Sequence, residues 1–441
     1  MSISKDMEGL SLDQAPPLSI PFLFFATAPV ALLLAALILI GRGSEVLVTA
    51  WRPDTLVLTH LGTIGFLGSI MFGALYQMSP VVAVATVPKI KHAYWVWAMN
   101  VIGLLMLYYW GARGVRADLG SPWLSFHFMA TGVMLFTCLV GWALFVRSKT
   151  KGPTVWGMRL AVASLFTAMT LGTFMVGYWG KGSMLGERSL SLELHISFAI
   201  IGWIGGLITA VSWQVLPMFY LTPGVKPERS WLVLLTLAAS LFGVFCVVLL
   251  DAAGQLAGHG RIVAAVLVAP AAFVLWVVHP LLVWGQLRSR RRKRIDPSAR
   301  FWQVGVGFGF LTLFLAISAV LRTSDWYGLA FVWCALFGWA GLIVHGMLTR
   351  IGPFLIWFHR FSPYVGRIPV PAIRRMLPDK LVWTGLAVHI TTVVLGLVAI
   401  TFHIDIAARL AGVGLALLGC VMGAYMVILL RLRPDTSALE A

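Results

Sequence analysis

Along the chain, apolar stretches of twenty or so residues alternate with short polar connections. Twelve such stretches are centred roughly on residues 31, 68, 103, 134, 167, 207, 241, 275, 311, 342, 391 and 420, each long enough to cross about 30 Å of hydrocarbon as a helix. No water competes for backbone hydrogen bonds in hydrocarbon, so the pattern predicts helices rather than isolated strands. The fold class expected is all-α, a polytopic membrane protein of about 12 transmembrane helices.

Within that pattern one phrase recurs. GFLGSIMFGALYQMSP at 65–80, GWIGGLITAVSWQVLP at 202–217 and GWAGLIVHGMLTRIGP at 338–353 all read G-x-x-G, eight residues, Gln or Arg, two residues, Pro. The copies start 137 and 136 residues apart and fall on spans two, six and ten. A period that long repeats a group of elements rather than one turn. It predicts three pseudo-symmetric four-helix units, covering about residues 21–150, 155–290 and 300–431 of a single membrane domain over 21–431. A cytoplasmic N-terminal segment (1–20) and a cytoplasmic tail (432–441) flank it. The small residues of the motif allow close helix packing, and Pro80, Pro217 and Pro353 end or kink their helices. Arg350 is expected to snorkel to the interface.

Composition agrees: 59% of residues are hydrophobic and 11% charged. The first apolar run is too long for a signal-peptide core and lacks an Ala-x-Ala close, so it reads as a retained span. Lys89, Lys91, Arg147, Lys149, Lys151, Lys226, Arg229, the run RSRRRKR (288–294), Arg360, Arg367, Arg374, Arg375 and Lys380 fall on alternate connections. The other connections are poorer, with Arg113 and Arg116 or Lys181 and Arg188. By the positive-inside rule both termini are cytoplasmic, in a bacterial inner membrane. The same bias accounts for the formal charge of +17, so a nucleic-acid partner is not called for; the lipid bilayer is the partner expected. GVGFG (305–309) lies inside an apolar span with no strand before it and reads as helix packing, not a nucleotide loop. FHRFSPYVGRIPVPAIRRMLPDK reads as the longest inner loop, whose Pro363, Pro369 and Pro371 forbid a long helix.

Cys138, Cys246, Cys334 and Cys420 fall singly in apolar spans, without C-x-x-C or C-x-x-C-H, and read as buried packing residues. Glu193, Asp251 and Asp325 stand at span ends, so no buried acid relay is visible. What remains inside the membrane is histidine. His60, His127 and His195 open spans two, four and six, while His279, His345 and His389 lie deeper. A lone histidine at a helix end is commonly a hydrogen-bonded packing residue, but three at one level make a site hypothesis. Measured from the motif prolines, His60 and His195 lie about 30 to 33 Å outward, and His345 roughly 18 Å deeper than His60. His60 and His195 are therefore the expected ligands of a single metal or haem between them, with His127 as third ligand or supporting group and His345 as the deeper alternative. Glu193 or a backbone carbonyl could orient a ring.

Three four-helix arcs, with a histidine opening span two of HLGTIGFLGSIMFGALYQMSP, resemble the catalytic subunit of haem-copper oxidases and nitric-oxide reductases, and also the NnrS membrane proteins. The resemblance implies b-type haem or copper as cofactor, and His60 as a match to an axial haem ligand. It implies redox, nitric-oxide or metal handling with a membrane or periplasmic redox partner. The chain departs from the oxidases in several places: span seven has no His-His pair, Trp333 stands where span ten would repeat His60, and no Arg-Arg pair separates spans eleven and twelve. Two classes of function follow. One is a haem- or copper-binding membrane protein of haem-copper-oxidase-like fold, with catalysis left open. The other is a cofactor-free transporter or scaffold subunit.

Overall fold

An apolar run in hydrocarbon has to satisfy every backbone amide within itself, and the chain does so as helix throughout. The computed structural model describes residues 15–112, 122–177, 188–256, 258–291, 296–322 and 324–435. Twelve helices among them are long and apolar enough to cross a membrane. They are α1 (Ser19–Leu47), α2 (Pro53–Val82), α3 (Ile90–Gly111), α4 (Trp123–Arg147), α5 (Pro153–Val176) and α6 (Leu190–Tyr220). The second six are α7 (Pro227–Ala252), α8 (Gly260–Arg288), α9 (Pro297–Leu321), α10 (Asp325–Tyr364), α11 (Asp379–Phe402) and α12 (Asp405–Arg431). Each of the twelve expected spans has its helix, and no strand occurs among the described residues. Arg113, Arg116, Lys181 and positions 292–294 of the basic run lie outside the described residues.

The motif marks the inner helices. The apolar cores of α2, α6 and α10 are 72%, 72% and 78% buried, against 56% at most for any other span. Elsewhere large apolar side chains stand outward, as Leu232 and Phe242 on α7, Ile262 and Val266 on α8, and Phe314 and Leu321 on α9 do. That is the surface a bilayer covers.

The same three helices share a backbone irregularity. Each leaves α-helix for a wide π-helical stretch, at Leu61–Gly68, Ser197–Gly205 and Cys334–Gly341, and resumes α-helix at the next residue. All three stretches end on the second glycine of G-x-x-G, so the sequence repeat is also a backbone repeat. The glycine has a local cause: a Cβ there would meet the carbonyl oxygen five residues earlier, at 2.8 Å for Gly68 and Thr63, 3.1 Å for Gly205 and Ile200, and 2.7 Å for Gly341 and Leu336. In the wide turn that carbonyl leans into the space a side chain would need. Pro80, Pro217 and Pro353 all lie inside helix, and α2 and α6 end within three residues of theirs.

Two compact units are defined by contact. One comprises Leu75–Lys293 and Gly309–Leu321 with Met1–Pro16; the other comprises Pro17–Ala74, Arg294–Phe308 and Arg322–Ala441. In the first, Tyr76 meets Phe136 edge-on at 5.4 Å and Phe136 meets Trp203 at 6.4 Å. Arg159 of α5 donates to the Leu144 carbonyl at 2.9 Å, satisfying the frayed end of α4.

In the second unit α1 packs along α12, where the Pro29 carbonyl comes within 2.9 Å of where a Cβ on Gly419 would stand. Arg360 donates to the Leu430 and Leu432 carbonyls, both at 2.9 Å, and so caps the end of α12. Outside the spans, Arg52 donates to the buried Asp54 carboxylate at 3.0 and 2.9 Å. That hydrogen bond holds the guanidinium above its ordinary pKa, against the opposing effect of burial.

Three local expectations change. Arg350 does not snorkel: its guanidinium is paired with Asp296 and donates to Ser298 Oγ at 2.7 Å, at the start of α9, where Asp296 also accepts the Ser298 amide. An ion pair inside the fold takes it in preference to the interface. Phe358, His359, Arg360 and Phe361 belong to α10, which continues past Pro353 to Tyr364, and not to a loop. Of the cysteines only Cys334 is buried in protein; Cys138 and Cys420 are exposed on outward faces, where lipid is as apolar as a core.

Candidate functional site: the intramembrane histidines

His60 closes the α-helical first part of α2, one residue before its π-stretch. Its Nδ1 lies 2.8 Å from the Leu56 carbonyl. A carbonyl only accepts, so Nδ1 carries the proton and the neutral ring keeps its lone pair on Nε2. Thr59 and Thr63 bond back to carbonyls four residues earlier and leave the ring's place unchallenged.

His195 stands two residues before the π-stretch of α6, and its Nδ1 lies 2.9 Å from the Ala168 carbonyl of α5. The ring fits there because Gly172 has no side chain: a Cβ on Gly172 would meet Cε1 at 3.1 Å. This ring too has its Nε2 lone pair fixed by a backbone acceptor. Glu193 does not orient it; that carboxylate takes Arg261 of α8 at 2.8 Å.

His127 is exposed on the outer side of α4, with its Nδ1 2.7 Å from the Trp123 carbonyl and its ring 4.3 Å from the Trp123 ring. His195 and His127 belong to the first unit, His60 and His345 to the second.

His345 is brought together with a residue the sequence reading set aside. His345 lies near the middle of α10 and His389 near the middle of α11, and both are completely buried. Their Nδ1 atoms are 3.0 Å apart. The ring centroids are 5.3 Å apart, the nitrogen separation extended by nearly two ring radii, so the two nitrogens face each other head-on. Phe301 packs on His345 at 4.5 Å, Tyr425 at 5.8 Å, and Phe66 on His389 at 6.4 Å. His345 Nε2 has no hydrogen-bond partner, and His389 has only the Phe337 backbone as a looser hydrogen-bond contact. The signal for the pair along the chain is that both histidines are central in their spans; in the structure Gly385, one turn before His389, leaves room for the Tyr425 hydroxyl and His345 Cε1.

In the first unit His279, also buried, contacts Ser212 Oγ of α6 through Nε2 at 3.1 Å. The Ser212 hydroxyl donates to the Thr209 carbonyl at 2.6 Å, so His279 is the donor to it.

As to haem at the inner pair, Phe66 and Phe337 stack at 6.3 Å between α2 and α10, and a Cβ on Gly341 would stand 3.3 Å from His389 Nε2. The Gly341 backbone thus lies close against His389 Nε2. Among the described residues no group of three or more His, Cys, Asp or Glu side chains is gathered.

No protein-family model matches the chain, and no curated protein matches it. Fold and site together define a multi-pass α-helical membrane protein with intramembrane histidines.

Proposed function

We propose that this chain is a haem- or copper-binding membrane protein on a haem-copper-oxidase-like helical scaffold, with His60 and His195 each serving as a ligand in its own unit. The observation that supports the reading is the fixed tautomer of both rings. A metal-binding histidine usually gives its other N–H to a carbonyl or carboxylate, which sets the ring and keeps its donor nitrogen deprotonated. His60 on Leu56 and His195 on Ala168 have that arrangement. His127 lies on the outside of its unit, and the reading does not use it.

An imidazole Nε2 suits either iron or copper. The bound group would supply one-electron exchange and an open position for a small gas, and the chain would hold the rings and exclude water. The protein would sit in the bacterial inner membrane with both termini cytoplasmic and exchange electrons with a membrane or periplasmic partner. The three aligned π-stretches favour three pseudo-symmetric units for the scaffold.

The test is a reduced-minus-oxidised spectrum with metal analysis, on protein made with haem and copper supplied. His60→Ala and His195→Ala should each remove or shift a Soret band or copper signal, and His259→Ala, on an exposed turn, should not. A colourless, metal-free wild-type protein would overturn the reading in favour of a cofactor-free transporter or scaffold.

A further inference from the structure

We propose that His345 and His389 form a proton-transfer couple midway along α10 and α11, inside the second unit. The inference stands apart from any metal at His60 or His195. Head-on Nδ1 atoms 3.0 Å apart require one proton between them, because two lone pairs at that distance repel and two N–H groups collide. In the neutral pair one ring therefore donates through Nδ1 and has a lone pair on Nε2, while the other accepts at Nδ1 and carries its proton on Nε2. The two Nε2 atoms are the ends of the couple; His345 Nε2 is buried without a hydrogen-bond partner, and His389 has the Phe337 backbone as a looser hydrogen-bond contact.

The transfer balances. A proton binds the donor ring at Nε2, that ring's Nδ1 proton crosses to the Nδ1 of the acceptor ring, and the acceptor ring releases its own Nε2 proton. One N–H bond forms and one breaks on each ring, the pair returns to neutral, and the two rings have exchanged tautomers. A return transfer or a ring rotation resets it.

Phe301 packs on His345 and Phe66 on His389, and no third histidine, cysteine or carboxylate joins the pair among the described residues. Tyr425 of α12 is the titratable group packed on the pair, on the His345 side. Its hydroxyl would lie 2.5 Å, and His345 Cε1 3.2 Å, from a Cβ on Gly385, and it donates to the Leu381 carbonyl at 3.4 Å. Gly385 thus leaves room for a hydroxyl near the His345 ring. A buried pair kept only for packing would more simply be apolar, since each unpartnered buried polar atom costs about 1–3 kcal/mol.

The full-length protein is reconstituted into liposomes containing a trapped pH dye, and proton uptake is driven by a potassium diffusion potential with valinomycin. Wild-type vesicles should acidify several-fold faster than vesicles holding His345→Gln or His389→Gln at equal incorporation. Metal and haem content of His389→Gln should be unchanged, which separates this result from the fate of the proposed cofactor. Equal rates for wild type and both variants would overturn the couple, as would a wild-type rate no faster than protein-free vesicles. Should the glutamine variants misfold, nitrogen-15 histidine NMR of the wild type decides. One protonated and one bare Nδ1 sharing a deshielded proton supports the couple; two bare Nδ1 atoms, or loss of that proton on adding Cu(I), refutes it.

Discussion

Replacing Gly341 with alanine should damage the protein, and replacing Gly206 should not, although both glycines lie in the middle of inner helices. A Cβ on Gly341 falls 2.7 Å from the Leu336 carbonyl oxygen, which is backbone and cannot swing aside. Relief requires closing the wide turn, and overpacking of this kind costs about 1–3 kcal/mol. Gly68→Ala meets the Thr63 carbonyl at 2.8 Å and belongs to the same class. At Gly206 the nearest neighbour, the Ile201 carbonyl, is 3.8 Å away, and the added methyl instead recovers about 0.5–1 kcal/mol of helix propensity. At about 2 °C per kcal/mol, Gly341→Ala and Gly206→Ala should melt several degrees apart. Thermal unfolding followed by fluorescence-detected size exclusion at one heating rate measures the order, which matters more than the absolute midpoints when unfolding is irreversible. If Gly206→Ala melts as low as Gly341→Ala and Gly68→Ala, or if none of them shifts, the carbonyl clash is not why those glycines are there.

Arg350→Leu should lower the melting temperature more than Arg350→Lys, because it strands the Asp296 carboxylate at the start of α9; equal effects would show that the ion pair is idle. Arg360→Ala, which uncaps the end of α12, should cost about 1 kcal/mol, read as earlier hydrogen exchange at Leu430 and Leu432. Glu193→Gln should shift stability by less than about 1 kcal/mol, since its bond to Arg261 is half-exposed, and should leave any bound metal in place. Metal loss there would mean that Glu193 orients His195 after all.

The spans were legible because hydrocarbon imposes one rule on every one of them, and all twelve expected centres lie within observed helices. The motif found α2, α6 and α10 because close packing writes itself as small residues at fixed spacing. What the motif could not show is that its second glycine closes a π-turn: a carbonyl leaning in from five residues away leaves no trace in composition. The histidines divide in the same way. His60 and His195 stood out by their shared position at span starts, but the Leu56 and Ala168 carbonyls that fix their tautomers are backbone groups, which sequence never displays. His345 and His389 meet across 44 positions, so neither points to the other along the chain. Depth measured from Pro353 separated His345 from His60 without supplying its neighbour on α11. Arg350 leaves the interface because it finds Asp296, just before α9, and of the two groups that could orient a ring the backbone carbonyl does so while Glu193 pairs with Arg261 of α8.

The wide turns also set a phase. Each α-helical residue turns the chain by about 100°, so the extra residue accommodated in a π-stretch displaces everything beyond it by about that angle relative to an unbroken helix. The half of α2 carrying His60 and the half carrying Gln77 are therefore wound out of step, as are the halves of α6 and α10 on either side of Gly205 and Gly341. A helical wheel drawn straight through any of the three would assign the wrong face to one half. Deleting a single residue within such a stretch would restore the even winding and swing one half of the helix around, so a change of one residue can re-aim a whole ligand face without altering any of its side chains.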